Sequence, residues 1–462
     1  MSRASRLRTS FFAALVACSY LPAAADESAP RLERVGRYAS GLDADAEIVA
    51  TQVSTGRALL TLSKGHLVDV LDVTTPSAPK RVARHALPAH GDEELTCVSF
   101  HPTQDWFLAV MNNKDARTKG RLLAVDATKG TVLAEYATGY APDAVAFSPD
   151  GRVAVVADEG EWTWRAEDGF HSMPGSITCV DLSAGPVGGK ATTIALPDIT
   201  GRTGVTSAAC KRTVEREIDG KAEDVPLLGG VPEELEPENV AFSPDGTRAY
   251  VTLQENNAIL VVDPREARIV DVWGLGTTTH ATDATEDGKV DFSQQLVALR
   301  EPDGLATSPD GRFVITADEG DTDPKASKTK APFPAGGGRT VSVFRAADGT
   351  LVGDTGNGID EGAVACGTYD DTRSDSKGAE PEGIVSFASG GRTYAVVGLE
   401  RAAAVALIGL DAEGHPRVLG CYPLGEGSKA PEGLALLERD GVVHVLVANE
   451  KSGDMTVFRF VK

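Results

Sequence analysis

One short unit, repeated, constrains this chain more than any other feature. Residues 236–263 read EPENVAFSPDGTRAYVTLQENNAILVVD. A Pro-Glu corner leads into the apolar run Val240, Ala241, Phe242, and SPDG makes a tight turn. A second run follows with Ala249, Val251 and Leu253 alternating, then a polar corner, then a third run over 259–262. Alternation of period two, broken by Asp-Gly turns, predicts short antiparallel strands. The unit recurs seven times, beginning near Glu47, Thr96, Ala141, Glu236, Glu301, Glu380 and Ala430. A fourth strand follows most copies, as at 80–87, 131–136, 269–273 and 418–422. Seven units of four short strands predict an all-β, seven-bladed β-propeller of the YVTN/WD40-like kind. The last copy stops after three strands, and LERVGRYA at 32–39 supplies the fourth, so the N-terminal strand closes the ring and removes an open sheet edge. The propeller then spans 31–462 as one domain, interrupted by insertions at 200–235, 279–300, 321–338 and 358–379.

The balance of 45 basic against 67 acidic residues, net −22, excludes nucleic acid as a partner, because a phosphate backbone demands a basic footprint. It suits cation binding or solubility outside the cell. The N-terminus has the form of an export signal: Arg3, Arg6 and Arg8, an apolar stretch over 11–21, and Ala23-Ala24-Ala25 as a cleavage site, giving a signal peptide over 1–25. Leu15-Val16-Ala17-Cys18 also has the form of a lipobox, which would make Cys18 a lipid anchor at the cell surface. The Pro-Ala-Ala-Ala-Asp junction favours ordinary secretion or periplasmic release. No later run is long enough to span a membrane. Cys97, Cys179, Cys210, Cys366 and Cys421 show neither CxxC pairing nor metal-finger spacing, which leaves room for one or two disulfides in an oxidising compartment.

Several long motifs occur in a familiar order: LEPENVAFSPDGTRAYVTLQENNAILVVD, ADEGDT, DDTRSDSKGAEPEGI, GGRTYAVVGLER and PEGL…VLVANEKSG. From about Leu32 to the C-terminus the chain resembles the choice-of-anchor I family of surface and secreted propellers. That family includes mesenchyme-specific cell-surface glycoproteins and bacterial relatives, some labelled alkaline phosphatase. The resemblance implies an extracytoplasmic, calcium-associated propeller. The stretch after Glu319-Gly320-Asp321-Thr322 is short and Lys/Pro-rich here, a departure from the family pattern.

Two positions of the repeat carry a carboxylate. The first follows the corner and opens the innermost strand: Glu47, Asp143, Glu238, Asp303, Glu382 and Glu432, with Thr96 in the second copy. The second ends the next strand: Glu159, Glu255, Glu319, Glu400 and Glu450, with Ser63 and Asn113 in the first two copies. In an up-and-down blade both positions lie on one face, so the repeat predicts two carboxylate sets around one mouth of the central channel. Such a ring supplies the six to eight oxygens that calcium takes. The competing reading is that each carboxylate merely caps its own blade corner. Lys64, Lys114, Arg401 and Lys451 follow the second position in copies one, two, six and seven, making half of the mouth mixed in charge. They neutralise the neighbouring carboxylates or contact an anion such as phosphate.

A further cation motif lies in the second insertion. Asp283, Thr285, Asp287 and Asp291 fall at positions 1, 3, 5 and 9 of an EF-hand-like loop, with Gly288 at 6, Lys289 at 7 and Val290 at 8. Position 12 is Gln294 rather than Glu, and an ordinary Asp-Gly turn is the competing reading. Asp370, Asp371, Asp375 and Glu380 form an acidic cluster around Arg373, and His280 lies beside the calcium-like loop. There is no GxSxG, no HExxH and no metal spacing among the eight histidines. These features predict a monomeric, non-enzymatic propeller that binds an extracellular or periplasmic ligand at its mouth with Ca2+ as cofactor. A calcium-dependent phosphoric-ester hydrolase is the alternative.

Overall fold

The structure is a computed structural model that describes residues 29–462, apart from 43–44, 116, 166–168, 206–212, 219–220, 227–231 and 320–336. The expected signal peptide, Cys18, Cys210 and most of the 321–338 insertion lie outside the described residues. Among those described, seven four-stranded antiparallel sheets form a propeller. Their innermost strands are Val49–Gln52, Glu93–Phe100, Pro142–Phe147, Pro237–Phe242, Pro302–Thr307, Pro381–Ser389 and Pro431–Arg439. Strand Arg31–Ala39 pairs with Asp454–Val461 as the outer edge of the seventh blade, with Arg31 opposite Val461 and Ala39 opposite Asp454. Arg37 Nε donates to Asp454 Oδ2 at 2.5 Å, and Tyr38 Oη to the buried Asp69 Oδ2 at 2.7 Å, so the closing strand is tied to blades seven and one.

The core follows from strand alternation. In Ala249–Leu253, Ala249, Val251 and Leu253 face blade three, while Tyr250 faces blade five. Every blade does the same, so the buried side chains fall into seven clusters, one between each adjacent pair. No blade could bury both of its faces alone, and only the closed ring completes the core.

The two faces of the disc differ. SPDG-type turns cap one face, with Ser148, Ser243 and Ser308 hydroxyls each donating to the aspartate two residues on. On the other face the chain leaves and re-enters the propeller for its long connections. These hold the hairpins Glu161–Arg165/Gly169–Met173, Thr213–Ile218/Lys221–Pro226 and Thr277–Thr282/Gln294–Leu299, and the helix Gly358–Ala365. No helix among the described residues is long and apolar enough to cross a membrane. Cys97, Cys179, Cys366 and Cys421 are all unpaired thiols.

Candidate functional site

The inner strands begin, and the second strands end, on the face that carries the long connections. In blades three to seven the ladder slips by one residue directly after the corner proline, as between Pro142 and Ala144 or between Pro431 and Leu434. A bulge of this kind takes a residue out of the ladder and re-aims its side chain. The residue after the proline is Asp143, Glu238, Asp303, Glu382 or Glu432, and each of these lines the channel mouth. Before the corner, Asp45, Ala141, Glu301, Glu380 and Ala430 hold φ between +42° and +79°, a conformation costing about 1 kcal/mol each for a residue with a Cβ. The turned carbonyl is put to use. Those of Asp45, Ala141, Glu380 and Ala430 accept the amides of Ser63, Glu159, Glu400 and Glu450 at 2.8–3.1 Å, which ties the two positions of each blade together.

Pairing register places most of the predicted residues as the repeat implied, with two corrections. Pro237 faces Leu253, as Pro142 faces Asp158 and Pro302 faces Asp318. The residue matching Glu159 and Glu319 is therefore Gln254, and Glu255 lies one step further on, where its charge still raises Glu238. Gln254 lines the mouth and donates from Nε2 to Glu319 Oε2 at 2.7 Å. In blade two the strands run longer, and Thr96 spends its hydroxyl on the Asp143 carbonyl at 2.8 Å. The blade's carboxylate is Glu94, two residues earlier, which lines the same cavity and acts on Asp143. With Glu94 included, each of the seven blades gives one carboxylate to the mouth: Glu47, Glu94, Asp143, Glu238, Asp303, Glu382 and Glu432. The cavity at this ring measures about 640 Å³ and carries Thr51, Thr96, Ser99 and Asn239 on its lining beside the carboxylates.

The glycine that follows the acid in three blades is a further element of the ring. A Cβ on Gly304, Gly383 or Gly433 would overlap the backbone carbonyl of Glu382, Glu432 or Glu47, the acidic residue of the next blade. The triplets PDG, PEG and PEG thus let neighbouring carboxylate-bearing corners pack backbone against backbone.

Crowding shows in the acidities. Burial, then Glu450, Asp45 and Asp143, push Glu47 up to about 7, with a 2.6 Å hydrogen bond from Ser63 Oγ holding it back. Burial and Glu94 push Asp143 up to about 6. Glu238 is raised well above the usual carboxylate range by burial and by Glu255, Asp303, Glu159 and Asp143. Glu382 and Glu432 are raised in the same way. Burial pushes Glu319 up to about 8 even though Lys377 opposes it. Glu380 is the exception: burial would raise it, but Lys377, Arg401 and Arg373 together hold it low.

Basic residues at the mouth sit in ion pairs. Lys64 meets Asp45 at 2.5 Å and Lys114 meets Glu94 at 3.1 Å. Arg401 meets Glu380 at 2.8 Å and Glu400 at 2.9 Å, and Lys451 also bonds Glu400. Blade five, where no basic residue follows the second position, receives Lys377 from the segment before blade six.

Oxygen donors of this kind suit a hard divalent cation. Glu319, Glu380 and Glu382 each bring a carboxylate oxygen within 4.8 Å of the other two. Glu382, only 7% exposed, keeps Oε2 buried without a hydrogen-bond partner. This donor set fits calcium. The loop over 283–291 uses its acids differently. Asp283 Oδ1 accepts from Thr285 N, and Asp283 Oδ2 from Asp291 N and Ser374 Oγ, at 3.2–3.3 Å. Asp287 Oδ1 accepts from Lys289 N at 3.0 Å. Gly288 holds the positive φ expected at the sharp turn, and the loop closes the Thr277–Thr282/Gln294–Leu299 hairpin. His280 bonds the Ala281 and Gly338 carbonyls, both at 2.8 Å.

The profile of the choice-of-anchor I domain matches residues 47–331 and 324–412. Among solved structures, the Pan2 WD40 domain of Neurospora crassa aligns over 94% of this chain and 96% of its own, at 12% identity and TM-score 0.52. Hydrazine synthase of Kuenenia stuttgartiensis aligns over 91% of this chain and 99% of its own, at 15% identity and TM-score 0.52. At these identities the likeness is one of fold alone. Comparison with curated proteins returned no match.

Proposed function

The chain belongs to the choice-of-anchor I domain family, and from that premise we propose that it is a binding propeller that acts outside the cytosol. It takes a divalent cation, calcium foremost, among the carboxylates of its channel mouth and holds its ligand or partner there. One observation carries this reading: all seven blades deliver a carboxylate to the same mouth. Carboxylates raised by burial and mutual repulsion bind a cation with release of that repulsion. Corner capping would satisfy each carboxylate with local donors, whereas Glu238 and Glu382 each keep a buried oxygen without a hydrogen-bond partner. The family and the N-terminal export pattern support the extracytoplasmic setting.

The alternative, a calcium-dependent phosphoric-ester hydrolase, uses the same mouth through metal-activated water. It needs cationic side chains free to meet a phosphate. Lys64, Lys114, Arg401 and Lys451 are each engaged with a carboxylate, which favours binding over hydrolysis. Calorimetric titration of the purified protein with calcium, run beside turnover of a generic phosphate monoester, tests both. Binding without turnover is expected, with a melting temperature that rises with calcium. A protein that gives no binding heat and melts identically in calcium and in chelator would refute the cation reading. Calcium-dependent turnover would replace it with the hydrolase.

A further inference from the structure

Lys377 enters the mouth from the segment between the helix Gly358–Ala365 and blade six. Its Nζ stands 2.5 Å from Glu319 Oε1 and 3.7 Å from Glu380 Oε1. These are two of the three glutamates whose oxygens gather within 4.8 Å. In a calcium sphere with bonds of about 2.4 Å, oxygens on opposite sides stand about 4.8 Å apart, so the gathered oxygens fit around one ion. The ammonium stands against two of these three carboxylates. The third glutamate, Glu382, is left with a buried Oε2 that has no hydrogen-bond partner, so the pocket holds more acceptor capacity than it uses.

The other groups on these glutamates are arranged so that they can stay. Gln254 Nε2 holds Glu319 by Oε2, leaving Oε1 to Lys377. Arg401 Nε and Arg373 Nη2 hold Glu380 by Oε2 at 2.8 and 3.2 Å, and Arg401 Nη2 reaches Oε1 only at 3.3 Å. The backbone around Lys377 is pinned independently. Arg339 Nη2 donates to the Ser374 and Ser376 carbonyls at 2.9 and 2.7 Å, and Gly378 N to the Arg373 carbonyl at 3.0 Å. The lysine carries its compact charge on a flexible four-carbon stem, so the ammonium can move without this backbone moving.

We propose that Lys377 is a tethered competitor at a divalent-cation site made by Glu319, Glu380 and Glu382: its ammonium fills the site when no ion is bound and must leave for one to enter. The inference rests on the cation reading of the mouth and adds its location and its control. The built-in charge keeps the glutamates compensated in a calcium-poor medium. It also sets the calcium concentration at which the site responds, since each ion must outcompete a group of high effective concentration.

Calorimetric calcium titration of the full mature chain tests this with Lys377→Met, Lys377→Arg and Glu382→Gln beside the parent. Lys377→Met is expected to bind about tenfold tighter, because a close charge pair no longer has to be broken. Lys377→Arg keeps the competing charge and is expected to stay within about threefold of the parent. Glu382→Gln is expected to bind more weakly. Amine acetylation by acetic anhydride reads the parent protein directly, and the Lys377 side chain should react faster in calcium than in chelator. Equal calcium affinity for the parent and Lys377→Met, or equal acetylation in the two media, overturns the competitor role alone. Absence of calcium binding in both the parent and Lys377→Met overturns the cation site and this inference with it.

Discussion

Replacing Glu47 with Gln should change how the stability of the propeller depends on pH. In the unfolded chain this carboxyl titrates near 4.5, and in the folded ring it is pushed up to about 7. The folded state therefore holds the proton more tightly. Below pH 4.5 both states are protonated and Glu47 contributes nothing. Between pH 4.5 and 7 the unfolded chain gives up its proton first, so stability falls as pH rises, and above pH 7 the whole cost is present. At about 1.4 kcal/mol per pKa unit, that cost is about 3 kcal/mol for this one residue. Glutamine cannot ionise, yet its amide oxygen still accepts the Ser63 hydroxyl that bonds Glu47 Oε2. In chelator the variant should be more stable by less than about 1 kcal/mol at pH 5. At pH 8.5 the variant should be more stable by about 2–3 kcal/mol, and the gap should shrink when calcium is restored. Urea unfolding at pH 5, 7 and 8.5 measures it. Parallel pH profiles for parent and variant would refute the claim that burial and the neighbouring carboxylates raise Glu47.

Two further perturbations probe the frame that holds the ring. Gly383→Ala places a Cβ into the Glu432 carbonyl of the next blade, and should cost about 1–3 kcal/mol in a urea unfolding experiment. An unchanged midpoint would mean that the blades do not meet there as described. Deleting the chain through Ala39 removes the partner of Asp454–Val461, uncovers Asp69 and Asp454, and leaves a bare edge on blade seven. Size-exclusion chromatography should then show self-association, and a monomer that melts as the parent does would contradict closure by this strand.

The fold was legible because a propeller writes itself into the sequence seven times: corner, SPDG turn and alternating strands recur, and even the displaced closing strand at 32–39 stands out as the one unit part lacking its partners. The mouth was legible only as far as the repeat is regular. Gln254 and Glu255 are adjacent letters, and only the hydrogen-bonded register decides which one is the counterpart of Glu159 and Glu319. Glu94 escaped for a similar reason. Blade two has no corner proline, and its strands run past the point where the other blades turn, so the carboxylate stands upstream of where the repeat puts it. Lys377 carries no repeat signal at all, since it comes from an insertion and meets Glu319 across a separation no local pattern records. By contrast, the glycine after the acid in PDG and PEG could have been read as a close backbone approach, because nothing else in an inner strand favours glycine over a β-former.

Arg31 lies opposite Val461, at the far ends of two strands whose other ends, Ala39 and Asp454, stand at the mouth. The two ends of the propeller therefore leave it side by side, on the face turned away from the carboxylates. Whichever end is joined to a surface, a resin or a fusion partner, the attachment approaches from behind and the ring looks outward. Orientation is thus built into the topology: the propeller can be tethered by either terminus without covering its own opening.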